Sequence, residues 1–329
     1  MAATGPDPGC FDAAEGWNGQ PLDTANLILR PPVAGDLPAL VTLAGNPEVA
    51  LTTAVVPHPY TEKDGRAFLA LCARPFAETG VLTFAVERRI EAGLIGCAAI
   101  TDRGEAAEVG YWIGQPYWGR GYATEAVNAL LRLALGNFSY RRVEAGIMVG
   151  NAASQRVLTK AGFVATTDHP GSRGRCAGVP VRDFVLDREA WRKARQARPN
   201  LLVAAVALVD ADGRVLIARR PEDKPLPGLW EFPGGKVKAD ETPEAALVRE
   251  LAEELGIDVG ESCLAPVAFA SHGYDRFHLL MPLYACRVWK GEIAAREGQA
   301  LKWVRPSRLG DYPMPPADKP LIALLQDLL

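Results

Sequence analysis

The stretch GKVKADETPEAALVRELAEELGI, residues 235–257, decides how this chain is read. Glu250, Glu253 and Glu254 stand three and four positions apart, so a helix carries all three carboxylates on one face, within an arc of about 100°. Like charges at those spacings cost a helix roughly 0.2–0.5 kcal/mol per pair, a cost that something must repay. Pro233-Gly234-Gly235 forms a tight turn in which backbone atoms approach a ligand without Cβ interference. Thr242 and Pro243 start the helix, since Pro is tolerated in a first turn, and Gly256 ends it. Val248, Leu251, Ala252 and Leu255 fall on the opposite side and are expected to pack on a sheet. An acidic ridge is thus held on an anchored helix beside a glycine turn.

Hard divalent cations take several oxygen ligands, and Mg2+ commonly shares carboxylates with substrate phosphates. A cation among the three glutamates turns repulsion into ligation, acidifies a bound water and neutralises a phosphoryl group under attack. Arg249 cannot ligate a cation; its expected work is to hold a carboxylate, either Glu241 or a helix glutamate. The competing account is a solvated acidic face, which an isolated ExxEE would favour.

The whole 23-residue stretch, however, resembles the box of the Nudix hydrolases, G-x5-E-x7-R-E-U-x-E-E-x-G-U with U aliphatic, at every fixed position. The resemblance implies a Nudix α/β/α sandwich fold. It implies Mg2+, or Mn2+ in its place, held by Glu250, Glu253 and Glu254 with the Gly235 carbonyl. A water then attacks a phosphorus of a nucleoside diphosphate linked to another group, and one of these glutamates orients or deprotonates it.

The likeness runs over roughly residues 200–329 and points to the MutT branch. It is carried by LWEFPGGK at 229–236, by REGQ at 296–299 followed by Trp303, and by PPADKP at 315–320. That branch hydrolyses 8-oxo-dGTP to the monophosphate and pyrophosphate. By resemblance, Glu250, Glu253 and Glu297 are the catalytic candidates, and Glu297 is also a further metal ligand from a loop. Phe232 would line the base pocket, Arg220 would contact the nucleotide, and Gly234 and Lys236 would border the substrate. Plain core for Phe232 and a solvated strand end for Arg219 and Arg220 are the rival readings. One position departs from the pattern. Asp318 stands where this branch carries Asn, and an amide both donates and accepts whereas an ionised carboxylate only accepts. Either Asp318 is protonated in its pocket, or the base is held differently, or another nucleotide is preferred.

The N-terminal half holds a second motif, QPYWGRGYATEA at 115–126, between an expected strand and an expected helix. Two glycines and a small residue at a helix start expose consecutive N–H groups, which suit a pyrophosphate. With EVGYW at 108–112, NAASQRVLTKAGF at 151–163 and LILRP at 27–31, the half resembles GNAT N-acetyltransferases of the ribosomal-protein (Rim) type. The resemblance implies acetyl-CoA, its diphosphate on the amides of Trp118, Gly119, Arg120, Gly121, Tyr122, Ala123 and Thr124, and its pantetheine arm near Asn151 and Ser154. Trp118 departs from the Arg or Gln of the broader family, which leaves the backbone logic intact. An amine must shed a proton before attacking a thioester. Glu108 is the candidate base and Tyr111 a weaker candidate acid, while His58 fits a turn better than an acceptor pocket.

At 329 residues the chain is long for one domain. The expectation is an α/β protein with mixed (α+β) sheets in two domains. A loose leader (1–24) precedes a GNAT domain (25–190), a linker (191–200) and a Nudix domain (201–329). The expected strands are 27–30, 81–88, 93–101, 108–113, 143–149, 181–186, 201–209 and 215–219. The expected helices are 35–45, 61–73, 120–135, 152–161 and a short one before the linker. A net charge of −3 provides no general field for a nucleic-acid backbone, so no stable nucleic-acid binding is expected. The six cysteines are scattered without CxxC spacing, which argues against a zinc knuckle or a disulfide framework. No secretory start and no apolar run of about 20 residues is found, so a cytoplasmic location without membrane association is expected. The partners implied are a nucleoside triphosphate, with oxidised guanine foremost, and acetyl-CoA with an unidentified amine acceptor. Alternatives are other (d)NTPs or dinucleoside polyphosphates as substrate, or a Nudix half that senses nucleotide to regulate the acetyltransferase.

Overall fold

Two short antiparallel strands, β1 (Leu22–Asp23) and β2 (Leu27–Arg30), begin the first unit, with Leu22 opposite Leu29. The structure is a computed structural model that describes residues 20–172, 174–221, 226–274 and 277–329. Residues 1–19 of the expected leader lie outside the described residues. The chain forms two compact units that divide between Gln196 and Ala197.

In the first unit, helices α1 (Leu37–Ala44), α2 (Pro47–Leu51), α3 (Glu62–Cys72) and α4 (Phe76–Thr79) precede three long strands. Thr61 caps α3, its side chain accepting from the Asp64 amide. The strands β3 (Val81–Arg88), β4 (Glu91–Arg103) and β5 (Ala106–Ile113) lead into α5 (Tyr122–Leu131), whose last turns widen into a π-helix over Arg132–Asn137. There follow β6 (Arg142–Met148), α6 (Ala152–Lys160), β7 (Val164–Pro170), β8 (Pro180–Asp187) and α7 (Arg188–Gln196).

The strands form one sheet in the order β1-β2-β3-β4-β5-β6-β8-β7, with β5 and β6 running parallel. That parallel pairing extends only to Glu108 opposite Glu144. Ala126, Val127, Leu130 and Leu131 of α5 are buried against Phe84, Ile100 and Val109 of the sheet, each large side chain contributing about 1.5–3 kcal/mol. Strand β7 is invisible to hydrophobic periodicity because all its residues are exposed at the sheet edge.

In the second unit, β9 (Asn200–Leu208) and β10 (Val215–Arg219) are joined by the turn at Asp210–Gly213. Short strands β11 (Trp230–Glu231) and β12 (Gly234–Lys236) precede α8 (Pro243–Glu254). Strands β13 (Ala265–Gly273), β14 (His278–Cys286) and β15 (Ala300–Val304) and helix α9 (Lys319–Leu328) complete it. The sheets run β12-β9-β14-β13 and β11-β10-β15. Alternation along β9 sends Val206 and Leu208 toward α8 and Ala205 and Ala207 toward the core that holds Leu321 and Leu325 of α9. Helices thus cover both faces, giving the α/β/α sandwich. The buried stripe of α8 is Leu247, Leu251 and Leu255, with Val248 at its margin. Ala252, expected in that stripe, is exposed, because steps of four from Leu247 centre the apolar arc away from it.

Candidate active sites

Helix α8 meets strand β12 at Gly235. A Cβ built there would stand 2.2 Å from Glu250 Cδ, so the carboxylate rests directly against the glycine. Arg249 braces the arrangement. Its Nε and Nη2 donate to the two oxygens of Glu241 at 2.7 and 2.9 Å, and its Nη1 donates to Glu250 Oε1 at 2.7 Å. Nη2 also reaches the Lys236 carbonyl at 3.2 Å, and Nη1 lies 3.5 Å from Glu253. Arg249 therefore holds both of the carboxylates that the sequence left as alternatives. Its bidentate grip draws the Glu241 carboxyl down to about 2 and raises the guanidinium itself. The segment from Lys236 to Glu241 is stapled to the helix, and Glu250 is aimed at Gly235, which lies in strand β12 rather than in the expected tight turn because it pairs with Ala204 of β9.

The turn that carries Glu297 is laced to the far end of the same helix. The Glu254 carbonyl accepts from the Arg296 amide at 3.0 Å and from Gln299 Nε2 at 2.9 Å. Gln299, only 7% exposed, takes the Glu297 amide at 2.8 Å. Gln299 thereby positions the loop. Carboxylates and one glycine carbonyl are the hard oxygen donors that suit a divalent cation, and the absence of a side chain at Gly235 lets the Glu250 carboxylate lie against the backbone. Among the described residues, no three His, Cys, Asp or Glu side chains are gathered at ligating distance.

A second cluster lies around Asp318, the N-cap position of α9. The residue is 5% exposed, and its Oδ1 faces the Phe232 amide at 3.5 Å. Burial, and next the Glu231 carboxylate, push this carboxyl up to about 8, against the opposing pull of the Phe232 amide and Arg220. Arg220 is ion-paired with Glu231 across the β10–β11 pairing. Phe232, 3% exposed, packs in the same core as Met314 and Ala317. Lys236 is exposed at the end of β12, and Gly234 sits so close to the Ala204 carbonyl that a Cβ would stand 2.1 Å from it. Sequence reasoning missed Glu231 and Tyr274. The Tyr274 phenol is pushed up to about 12 by burial and by neighbouring Asp318. No local pattern reveals either residue, since β-pairing and a distant loop bring them in.

In the first unit, Gly119 and Gly121 adopt φ of 76° and 84°, a left-handed region that favours glycine. They turn the chain so that α5 starts at Tyr122. The Trp118 indole donates to the Ile113 carbonyl at 2.6 Å and braces this loop on β5. Glu125, in the first turn of α5, accepts from the Thr24 hydroxyl and the Asn26 amide, both at 2.6 Å, tying the helix start to β2. Arg120 is exposed, while Ala123 and Thr124 are half-buried in the helix.

Asn151 caps α6 by accepting from the Ser154 amide at 3.0 Å, and Ser154 Oγ lies 2.7 Å from the Tyr111 hydroxyl. Burial pushes the Tyr111 phenol up to about 12, so it keeps its proton. Strand alternation places Glu108 on the face opposite Tyr111. There it lines a cleft of about 310 Å³ with Glu144, His169 and Asp183. Arg103 Nε donates to Glu108 at 2.9 Å. His58 is exposed, away from the cleft lining.

Two family models match the chain: an acetyltransferase (GNAT) domain over residues 26–164 and a NUDIX domain over residues 204–324. A CTP pyrophosphohydrolase of Escherichia coli K12 is 42% identical over 127 residues, covering 37% of this chain and 90% of that protein. An 8-oxo-dGTP diphosphatase of Proteus vulgaris is 39% identical over 101 residues, covering 31% of this chain and 88% of that protein. A solved GNAT-family acetyltransferase from Bacillus anthracis is 21% identical, with a TM-score of 0.46, covering 52% of this chain and 99% of that one.

Proposed function

This chain belongs to the Nudix hydrolase family and carries a GNAT acetyltransferase domain ahead of its Nudix domain; from that premise we propose that its second half is a divalent-metal-dependent nucleoside triphosphate pyrophosphohydrolase acting on 8-oxo-dGTP. Water attacks a phosphorus, the bridging P–O bond breaks, and the monophosphate and pyrophosphate leave. The observation that carries the reaction is Glu250 seated against Gly235 in the grip of Arg249. Gly235, Glu250, Glu253, Glu254 and Glu297 would hold the cation, Mg2+ or Mn2+. When bound, it supplies charge neutralisation at the phosphates and an acidified water. Arg249 keeps Glu250 oriented, and a carboxylate of the helix or of Glu297 takes the proton of the attacking water. Lys236, exposed at the end of β12, meets the phosphate chain.

The base is read by Asp318. With its proton, the carboxyl offers one donor and one acceptor, as an amide does. It donates to O6 of 8-oxoguanine and accepts from N7–H. A second reading rests on the same group: the protonated carboxyl also matches N3 and N4–H of cytosine, the base named for the 42% identical relative. Comparing turnover of 8-oxo-dGTP, CTP, dGTP and diadenosine polyphosphates tests the assignment, and equal rates on all would refute it.

For the first half we propose acetyl transfer from acetyl-CoA to an amine. The amides of residues 118–124 receive the diphosphate, with Asn151 and Ser154 beside the pantetheine arm. Glu108 takes the proton of the amine, and Tyr111 returns one to the departing thiolate. The pairing of β5 with β6 ends at Glu108 and Glu144, which supports a gap between strands linking the two faces. Among the described residues no helix is long and apolar enough to cross a membrane. The domain limits proposed are 25–190 and 201–329, with α7 running to Gln196 and β9 starting at Asn200 inside the segment expected as linker. Calorimetry with acetyl-CoA tests this half; no binding heat would refute it.

A further inference from the structure

Tyr274 lies just beyond β13 and is fixed at its backbone, its ring and its oxygen. Arg198, from the segment that enters β9, donates Nη1 to the Tyr274 carbonyl at 2.7 Å. The ring packs edgewise on His272 with centroids 4.7 Å apart and lies 5.0 Å from Phe277. It belongs to the core that holds Phe232 and Ala317. Its hydroxyl oxygen faces the Ala317 amide and lies within electrostatic reach of Asp318, Arg220 and Glu231. With a backbone N–H beside its oxygen, the phenol has its own proton to give, and it keeps that proton throughout the neutral range.

The geometry points to Tyr274 as a specificity-determining residue of the nucleobase pocket, donating its O–H to a keto oxygen that flanks the base edge paired with Asp318. The inference rests on the reading that Asp318 meets the base. A neutral carboxyl alone is a loose reader, because adjacent donors and acceptors occur on many bases. It matches N1 and N6–H of adenine, O6 and N1–H of guanine, N3 and N4–H of cytosine, and O6 and N7–H of 8-oxoguanine.

The third group separates them. Beside the paired edge, 8-oxoguanine presents O8 and cytosine presents O2, both acceptors for a tyrosine proton. Uracil offers the same pattern through O4, N3–H and O2. Adenine presents only C2–H, and guanine presents the N2 amino group, a donor facing a donor. A buried O–H left without an acceptor penalises the wrong base. The pocket therefore takes bases with a keto oxygen beside a donor–acceptor pair and rejects ordinary purines.

The test is steady-state pyrophosphate release by the full chain in Mg2+ with 8-oxo-dGTP, CTP, dGTP and dATP. Wild type is expected to favour the first two. Tyr274→Phe keeps the ring and removes the proton, and is expected to lower the 8-oxo-dGTP to dGTP ratio of kcat/KM about tenfold, mainly through KM. Arg198→Ala is expected to shift the same ratio in the same direction by freeing the tyrosine backbone. An unchanged ratio in both variants, with turnover intact, overturns the role of Tyr274 and leaves the diphosphatase reading standing. Absence of pyrophosphate release from every nucleotide with wild type overturns both together.

Discussion

Removing the proton from Asp318 is expected to weaken recognition of 8-oxo-dGTP, and two perturbations test this in opposite senses. The first is alkali. With a carboxyl pushed up to about 8, about nine-tenths of the protein carries the proton at pH 7 and about one-tenth at pH 9. If only the protonated form pairs with O6 and N7–H, kcat/KM falls about tenfold across that interval, with the change in KM. The second is Asp318→Asn, whose amide presents the same donor and acceptor without titrating. The variant is expected to retain the neutral-pH activity and to lose the alkaline fall.

Stability gives an independent reading with a definite sign. The folded carboxyl keeps its proton at pH values where the unfolded one has lost it. Folding stability therefore declines as pH rises from the ordinary carboxylate range toward 8, then levels. The wild-type melting temperature should drop relative to Asp318→Asn through that window. Glu231, Arg220 and Tyr274 share the pocket, so the comparison with the variant isolates the one group. The assays are pH-resolved initial rates and thermal melts. A wild-type profile that is flat from pH 7 to 9, or an equal fall in the Asn variant, would refute the reasoning.

Gly235→Ala places a methyl 2.2 Å from Glu250 Cδ; displacement of the carboxylate should cost about 1–3 kcal/mol of stability by melting and most of the hydrolytic rate. Arg249→Lys cannot reproduce the two-pronged hold on Glu241, so activity should drop about 10–100-fold with raised Mg2+ requirement in a metal titration; wild-type behaviour would remove the brace from the account. Tyr111→Phe should slow acetyl transfer from acetyl-CoA without weakening its calorimetric binding, because the ring and the loop amides remain.

The arrangement around α8 was legible because its residues sit on one helix and the strand before it. Spacing puts Glu250, Glu253 and Glu254 on one side of the helix, and the pattern singled out Gly235 and Arg249, both of which meet Glu250. What spacing did not supply was the centre of the apolar stripe. One step around the helix separates buried Leu251 from exposed Ala252, and only the sheet packed beneath decides it. The cluster around Asp318 was legible in part. Asp318 stood out as a departure from an amide, but its protonation depends on burial and on Glu231, brought near by β-pairing. Tyr274 carries no local signal at all. In the first half, periodicity found the buried strands and passed over β7, because an edge strand with every residue exposed has no apolar alternation to read. Glu108 and Tyr111 were selected from one strand. Their placement on opposite faces follows from odd and even positions, while the partners that hold them, Arg103 and Ser154, come from elsewhere in the sheet and from α6.

The central claim is that the acidic ridge of α8 is a metal site for cleaving a nucleoside triphosphate. The most direct measurement is Mg2+-dependent pyrophosphate release from 8-oxo-dGTP by the full chain, wild type against Glu253→Gln. The variant keeps the size of the side chain and removes only its charge. Activity in the wild type that disappears in the variant is the expected result; near-normal release by Glu253→Gln would contradict the account.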